Sequence, residues 1–150
     1  MSRVSESAAA ASELDKVVVI MRHALIAIAL AVCAACSPAA PTARLNENFV
    51  LSPGESTSVS GTNVSVRFLG VQGDSRCPAD AVCIQGGDAI VRVEVLPSTG
   101  GATTYDLHTG NSQPVRHVDV LIALVELAPY PFASRPTPPG DYRATLRVTR

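Results

Sequence analysis

The chain has 150 residues and a formal net charge of −1, with 12 Lys or Arg against 13 Asp or Glu. This balance, without a basic stripe or an acidic run, argues against a nucleic-acid partner and against any strongly charged one. Four cysteines in so short a chain make its redox compartment the first question.

The N-terminus addresses that question. Residues 1–20 include Glu6, Glu13 and Asp15, which are out of place in a positively charged leader. They are expected to be an upstream extension without a fold of its own, with Met21 as the true start. From Met21, Arg22 and His23 lead into the apolar run Ala24–Val32 and then into small residues. This is the three-part build of a secretory signal, and it is short of the roughly 20 apolar residues that a spanning helix needs. The ending Ala34-Ala35-Cys36 resembles a bacterial lipobox, with Cys33 where such boxes usually carry Leu. The resemblance implies a signal peptide over residues 21–35, cleavage before Cys36, and a diacylglycerol on the Cys36 thiol. Two or more acyl chains give a stable membrane attachment with no spanning helix. Ser37 stands where inner-membrane retention would use Asp, so the outer membrane is the expected address, with the domain on its periplasmic side. Residues 36–47, with Pro38 and Pro41 among small residues, read as a tether.

Removing residues 1–35 from 150 leaves 115, one domain's worth, with nine Arg, no Lys and ten Asp or Glu. This part holds no Met, so a copper site with an axial methionine is excluded. Residues 48–150 are expected to be the folded domain, and their pattern is that of strands. In 62–68, Val64, Val66 and Phe68 share one face; in 89–96, Val91, Val93 and Val95 do so. In 103–108, Tyr105 and Leu107 point inward; in 142–149, Tyr142, Ala144, Leu146 and Val148 do. Alternation with period 2 marks strands with one buried and one wet face. Turn signals separate them, among them Ser52-Pro53-Gly54, Ser60-Gly61, Ser98-Thr99-Gly100 and Pro138-Pro139-Gly140. Residues 115–127 are apolar on both parities after Val120. They fit a doubly buried central strand better than a short helix, given their β-branched residues and the flanking Pro114 and Pro129. The expected fold is all-β, a single antiparallel β-sandwich. The closing stretch from Pro138 to Val148 resembles the last strand of immunoglobulin-like domains.

Export makes a disulfide the first reading of Cys77 and Cys83. The five residues between them are enough to curl and bring the α-carbons into bonding range. A redox couple would want two intervening residues, and zinc would need four ligands where only His108 and His117 remain as nitrogen donors. The run Asp74-Ser75-Arg76-Cys77-Pro78, then Cys83 and Gly87 ahead of a strand, resembles a motif of small exported bacterial proteins and lipoproteins of unassigned function. Gln85-Gly86-Gly87 here replaces their usual Trp-Ala-Gly. The resemblance implies a β-sandwich and supplies no activity.

Three carboxylates, Asp74, Asp80 and Asp88, fall close together, but without calcium-loop spacing. Turn capping is their expected role, with Arg76 bracing the loop against Asp74 or Asp88. A Ser75, His108 and Asp106 triad can be composed, yet no GxSxG elbow accompanies it. Tyr130 and Phe132, framed by prolines, are candidate partner contacts, or else a cover for the end of the core. Together these features predict a lipid-anchored envelope module that binds or supports a partner without catalysis, metal or cofactor. A disulfide-loop protease inhibitor and an envelope hydrolase are the alternatives.

Overall fold

A computed structural model describes residues 42–150. Residues 1–35, Cys36 and the first part of the tether lie outside the described residues. Nine strands are present among those described: β1 (Thr42–Arg44), β2 (Asn48–Leu51), β3 (Ser56–Ser60), β4 (Val64–Asp74), β5 (Ala89–Pro97), β6 (Thr103–His108), β7 (Val115–His117), β8 (Val120–Ala128) and β9 (Arg143–Thr149). They form a five-stranded sheet in the order β1-β3-β4-β5-β6 and a four-stranded sheet in the order β2-β9-β8-β7. The described residues contain no α-helix, only a single 3-10 turn over Pro139–Asp141. No described helix is long and apolar enough to cross a membrane.

The alternating faces do what their pattern demands. Val66, Phe68, Val91, Val93 and Val95 of the first sheet share one buried cluster with Ile122, Leu124, Ala144, Leu146 and Val148 of the second. Removing this apolar surface from water, at roughly 25 cal/mol per Å², is the main force holding the two sheets together. The outward positions pair across strands: Arg92 lies opposite Asp106 and bonds it at 2.7 and 2.8 Å. Arg67 likewise faces Glu94. Such cross-strand pairs reinforce the register that the apolar face sets.

Four features depart from the sequence reading. First, β1 falls inside the stretch expected as a tether and pairs parallel with β3, through Thr42–Ser58, Ala43–Val59 and Arg44–Ser60. The ladder is therefore not wholly antiparallel. Second, β3 is a Ser-rich strand between two turns, which polar composition disguised, although Thr57 and Val59 are buried. Third, β4 continues past Phe68 to Asp74 through two register shifts, at Phe68/Gly70 and Val71/Gly73. Each inserts an extra residue and breaks the period-2 signal. Gly70, at φ 139, takes a backbone conformation that suits glycine.

Fourth, residues 115–127 are strand, but not one doubly buried strand. They form a hairpin in which β7 and β8 meet through a two-residue turn, Val118-Asp119. Val120, Ile122 and Leu124 are buried, whereas Val125 and Glu126 are exposed. Apolar residues on both parities arise because the outer face carries Leu121, Ala123 and Val125.

Candidate functional site

The residues of the cysteine motif occupy the loop 75–88 between β4 and β5. Its base is closed by Ser75 and Asp88. The Ser75 amide and hydroxyl both donate to the Asp88 carbonyl, at 2.7 and 2.8 Å, and the Asp88 amide donates back to Ser75 Oγ at 3.1 Å. Gly87 lies so close beneath that a Cβ there would fall inside the Ser75 carbonyl. Only glycine permits so close an approach of two backbones. A disulfide joins Cys77 and Cys83, whose α-carbons are 5.9 Å apart.

Arg76 ties the loop to the second sheet. Its guanidinium grips Asp74 in a fork, Nε to Oδ1 at 2.9 Å and Nη2 to Oδ2 at 2.7 Å. It also donates to the carbonyls of Leu127 (2.6 Å) and Pro129 (2.9 Å) and lies 5.5 Å from the Tyr130 ring centroid. The planar fork of arginine suits this bidentate, stacked position, where lysine would supply only a point charge. Both partners' side chains are 9% exposed, so the pair is nearly desolvated. Burial alone would push the Asp74 carboxyl up, but the hydrogen bonds and charge of Arg76 outweigh it and hold that carboxyl below the usual range. Tyr142 donates a further bond to Asp74 at 3.1 Å, and burial with the nearby carboxylate raises the phenol above its ordinary value.

The other two carboxylates serve elsewhere. Asp80 accepts from the amides of Ala133 (2.6 Å) and Ser134 (3.1 Å), and the Ala79 amide donates to the Pro131 carbonyl at 2.9 Å. The Ala133 amide, first of these, lowers the Asp80 carboxyl. Asp88 accepts from the Gly110 amide at 2.7 Å, from Thr109 Oγ1 at 3.0 Å, and pairs with His108 Nδ1 at 2.5 Å. Burial opposes ionisation of Asp88, yet these three partners together bring it down to about 2.

The three aspartates considered for calcium are thus parted among different partners. No group of three His, Cys, Asp or Glu among the described residues is placed to hold a metal ion. Arg76 braces against Asp74 rather than Asp88. The composed triad is not assembled either: Asp106 bonds Arg92, His108 bonds Asp88, and Ser75 Oγ donates to the Asp88 carbonyl. His117 is buried and accepts or donates at Nδ1 with the Tyr105 hydroxyl, 3.0 Å away.

Beside these bonded groups, the loop and its neighbours expose large apolar side chains. Val82 and Ile84, on either side of Cys83, are fully exposed, and Tyr130 and Phe132 are 55% and 43% exposed. All four belong to segments that the Asp80 and Arg76 bonds tie together. Tyr130 also forms a wall shared by two clefts. One, of about 380 Å³, runs between the loop and β8; the other, of about 340 Å³, lies among Phe132, Arg135 and the prolines that follow.

Sequence reasoning singled out Tyr130 and Phe132 but overlooked Val82 and Ile84, which simple hydropathy in a polar loop would have flagged. It also overlooked Asp88 as a hub. Once Ile90 is known to pair with His108, the antiparallel register places Asp88 opposite Gly110, but that register is not written in either strand alone. Comparison with known proteins adds no identity: no family model, curated protein or solved structure matches the chain.

Proposed function

We propose that the chain is a lipid-anchored protein of the bacterial cell envelope, held at a membrane through Cys36, whose domain is a non-catalytic partner-binding module of immunoglobulin-like β-sandwich kind. The shared core of two sheets and the closing strand support the fold reading, and the sequence from Met21 to Ser37 supports the anchor. One observation carries the binding reading. Within 74–88, Asp74, Ser75, Arg76, Asp80, Gly87, Asp88 and the disulfide all brace the loop, while Val82 and Ile84 face solvent with no structural task. Apolar side chains held out on a rigid platform bind a partner at low entropic cost.

Two measurements test this reading. Intact mass of the protein from its native gene is expected to begin at Cys36 with added acyl groups; a retained N-terminus or an unmodified Cys36 overturns the anchor. A photo-crosslinking residue at Ile84 is expected to capture one discrete envelope protein in cells, and the same residue at Thr104 is expected to capture none. Equal, diffuse capture at both positions rejects the contact surface.

The same loop favours one second reading. Val82 projects beside a half-cystine in a loop fixed at both ends, which is also how a segment is presented to a protease cleft. In that case the purified protein inhibits a protease, and Val82→Asp abolishes the inhibition.

A further inference from the structure

The larger cleft has a feature that the loop tip does not use. It is lined by four consecutive residues of β8, Leu124, Val125, Glu126 and Leu127. Leu124 and Leu127 are buried while Val125 and Glu126 are exposed, so a cleft that meets all four runs along the edge of the strand and not over one face. That edge is open. β7 pairs with β8 only through Val115–Ile122, Arg116–Leu121 and His117–Val120. The next residue back is Pro114, which has no amide to donate, and the ladder stops there.

The polarity of the open edge follows from the turn. In a two-residue hairpin the flanking residues, His117 and Val120, form a hydrogen-bonded pair, so Val120, Ile122 and then Leu124 turn their amides and carbonyls to this side. A register shift at Leu124/Glu126 moves the next such residue to Leu127, whose carbonyl is taken by Arg76 Nη1. Leu124 therefore presents an amide and a carbonyl to the cleft, and Leu127 an amide.

We propose that this edge receives an extended peptide segment of a partner protein, added as a short fifth strand beside β8. The occupant is fixed by what the cleft offers. Backbone donors and acceptors spaced along a strand edge match the spacing of another extended backbone. Facing β8 the lining includes Gly86 and Gly87, where a main chain can approach closely, beside the short side chains of Thr109 and Ser112. Tyr130, at one end, gives an apolar side chain a surface to pack on. Charge narrows the choice further. Arg76, the cation of the cleft, is neutralised by Asp74, whereas Glu126 is exposed and forms no ion pair among the described residues. The peptide accordingly carries Lys or Arg opposite Glu126 between apolar residues. Pro114, the register shift and Arg76 confine the open stretch to a few residues, which suits one short strand and disfavours open-ended sheet stacking. This site uses different atoms from the loop tip, so either can fail alone.

The test uses random peptides displayed on phage, selected against the full chain in detergent micelles and then synthesised. Enriched sequences are expected to alternate and to bear Lys or Arg. N-methylation of alternate peptide amides, and separately Glu126→Lys in the protein, should each weaken binding by about tenfold or more. The Leu124 amide should gain hydrogen-exchange protection on binding. Absence of enrichment, or binding indifferent to both N-methylation and Glu126→Lys, overturns strand addition. Peptides lost on Ile84→Ser but not on Glu126→Lys place the contact at the loop tip; strand addition then falls while the partner-contact reading stands.

Discussion

In the two sheets, Val66, Phe68, Val91, Val93, Ile122 and Leu146 are wholly buried, and only Thr57 and His117 among the described polar residues are buried with them. In the loop 75–88 no residue is buried, and its shape is held by an ion pair, a disulfide and amides aimed at carboxylates. The sheets are specified by a pattern, and many different apolar residues could satisfy it. The loop is specified by individual groups, each aimed at particular partners. Damage to the sheets should therefore be global, and damage to the loop should be local, sensitive to chemical identity, and visible at the cleft and tip before the body unfolds.

The largest effect is expected in the body. Phe68→Ala removes the largest fully buried side chain and should cost about 3–5 kcal/mol, measured by urea denaturation, with the cleft lost only as the whole domain unfolds. A loop that reports unfolding well before the sheets in this variant would contradict a single shared core.

Arg76→Ala comes next. It leaves the Asp74 carboxylate nearly desolvated without its cation and strips donors from the Leu127 and Pro129 carbonyls. Removing one partner of such a pair costs about 3 kcal/mol or more. Arg76→Lys should recover little, because the fork and the stacking on Tyr130 are lost. Full rescue by lysine would mean that charge alone holds the loop.

The two glycines beside the cleft sharpen the contrast between pattern and identity. Gly87→Ala drives a Cβ into the Ser75 carbonyl, while at Gly86 a Cβ would meet nothing within 4 Å. Overpacking of this kind costs about 1–3 kcal/mol. Gly87→Ala should thus destabilise the domain and detach Ser75 from Asp88, and Gly86→Ala should leave stability near that of the natural chain. Equal effects would show that the loop base is free to relax.

The same division decides what could be read in advance. β5 and β9 were legible residue by residue, since Val91, Val93 and Val95, and Ala144, Leu146 and Val148, repeat every second position. β1 and β3 were not, because a Thr-Ala-Arg strand and a Ser-Thr-Ser-Val-Ser strand carry little apolar signal and depend on neighbours distant in sequence. The end of β4 was hidden by its two register shifts. At the site, the cysteine pairing was expected from export and spacing together, and an Arg76 brace was expected against Asp74 or Asp88, with nothing in the sequence to choose between them. The cleft did not, since an open strand edge is a property of where β7 stops relative to β8. The placement of the Asp88 carboxylate likewise needed the pairing of β5 with β6.

Asp88 supplies the smallest and most selective expected effect. Its carboxyl lies at about 2 in the folded chain against an ordinary 3.8, so between those values the unfolded chain binds more protons. The stabilising contribution is complete above pH 3.8 and disappears as pH falls through about 2. Asp74 and Asp80 are also depressed and act in the same direction. The Asp88 side chain is 35% exposed, so solvent screens much of the interaction and the change should be modest. Urea midpoints between pH 6 and pH 2 should decline on the acid side, and Asp88→Asn should make that decline shallower while leaving the disulfide and the Arg76 brace in place. Amide exchange at Gly110 should rise in the same variant at neutral pH, because its acceptor is weakened there too. An acid limb of unchanged slope, together with an unchanged Gly110 amide, would remove Asp88 from the set of groups that join the loop to the strands.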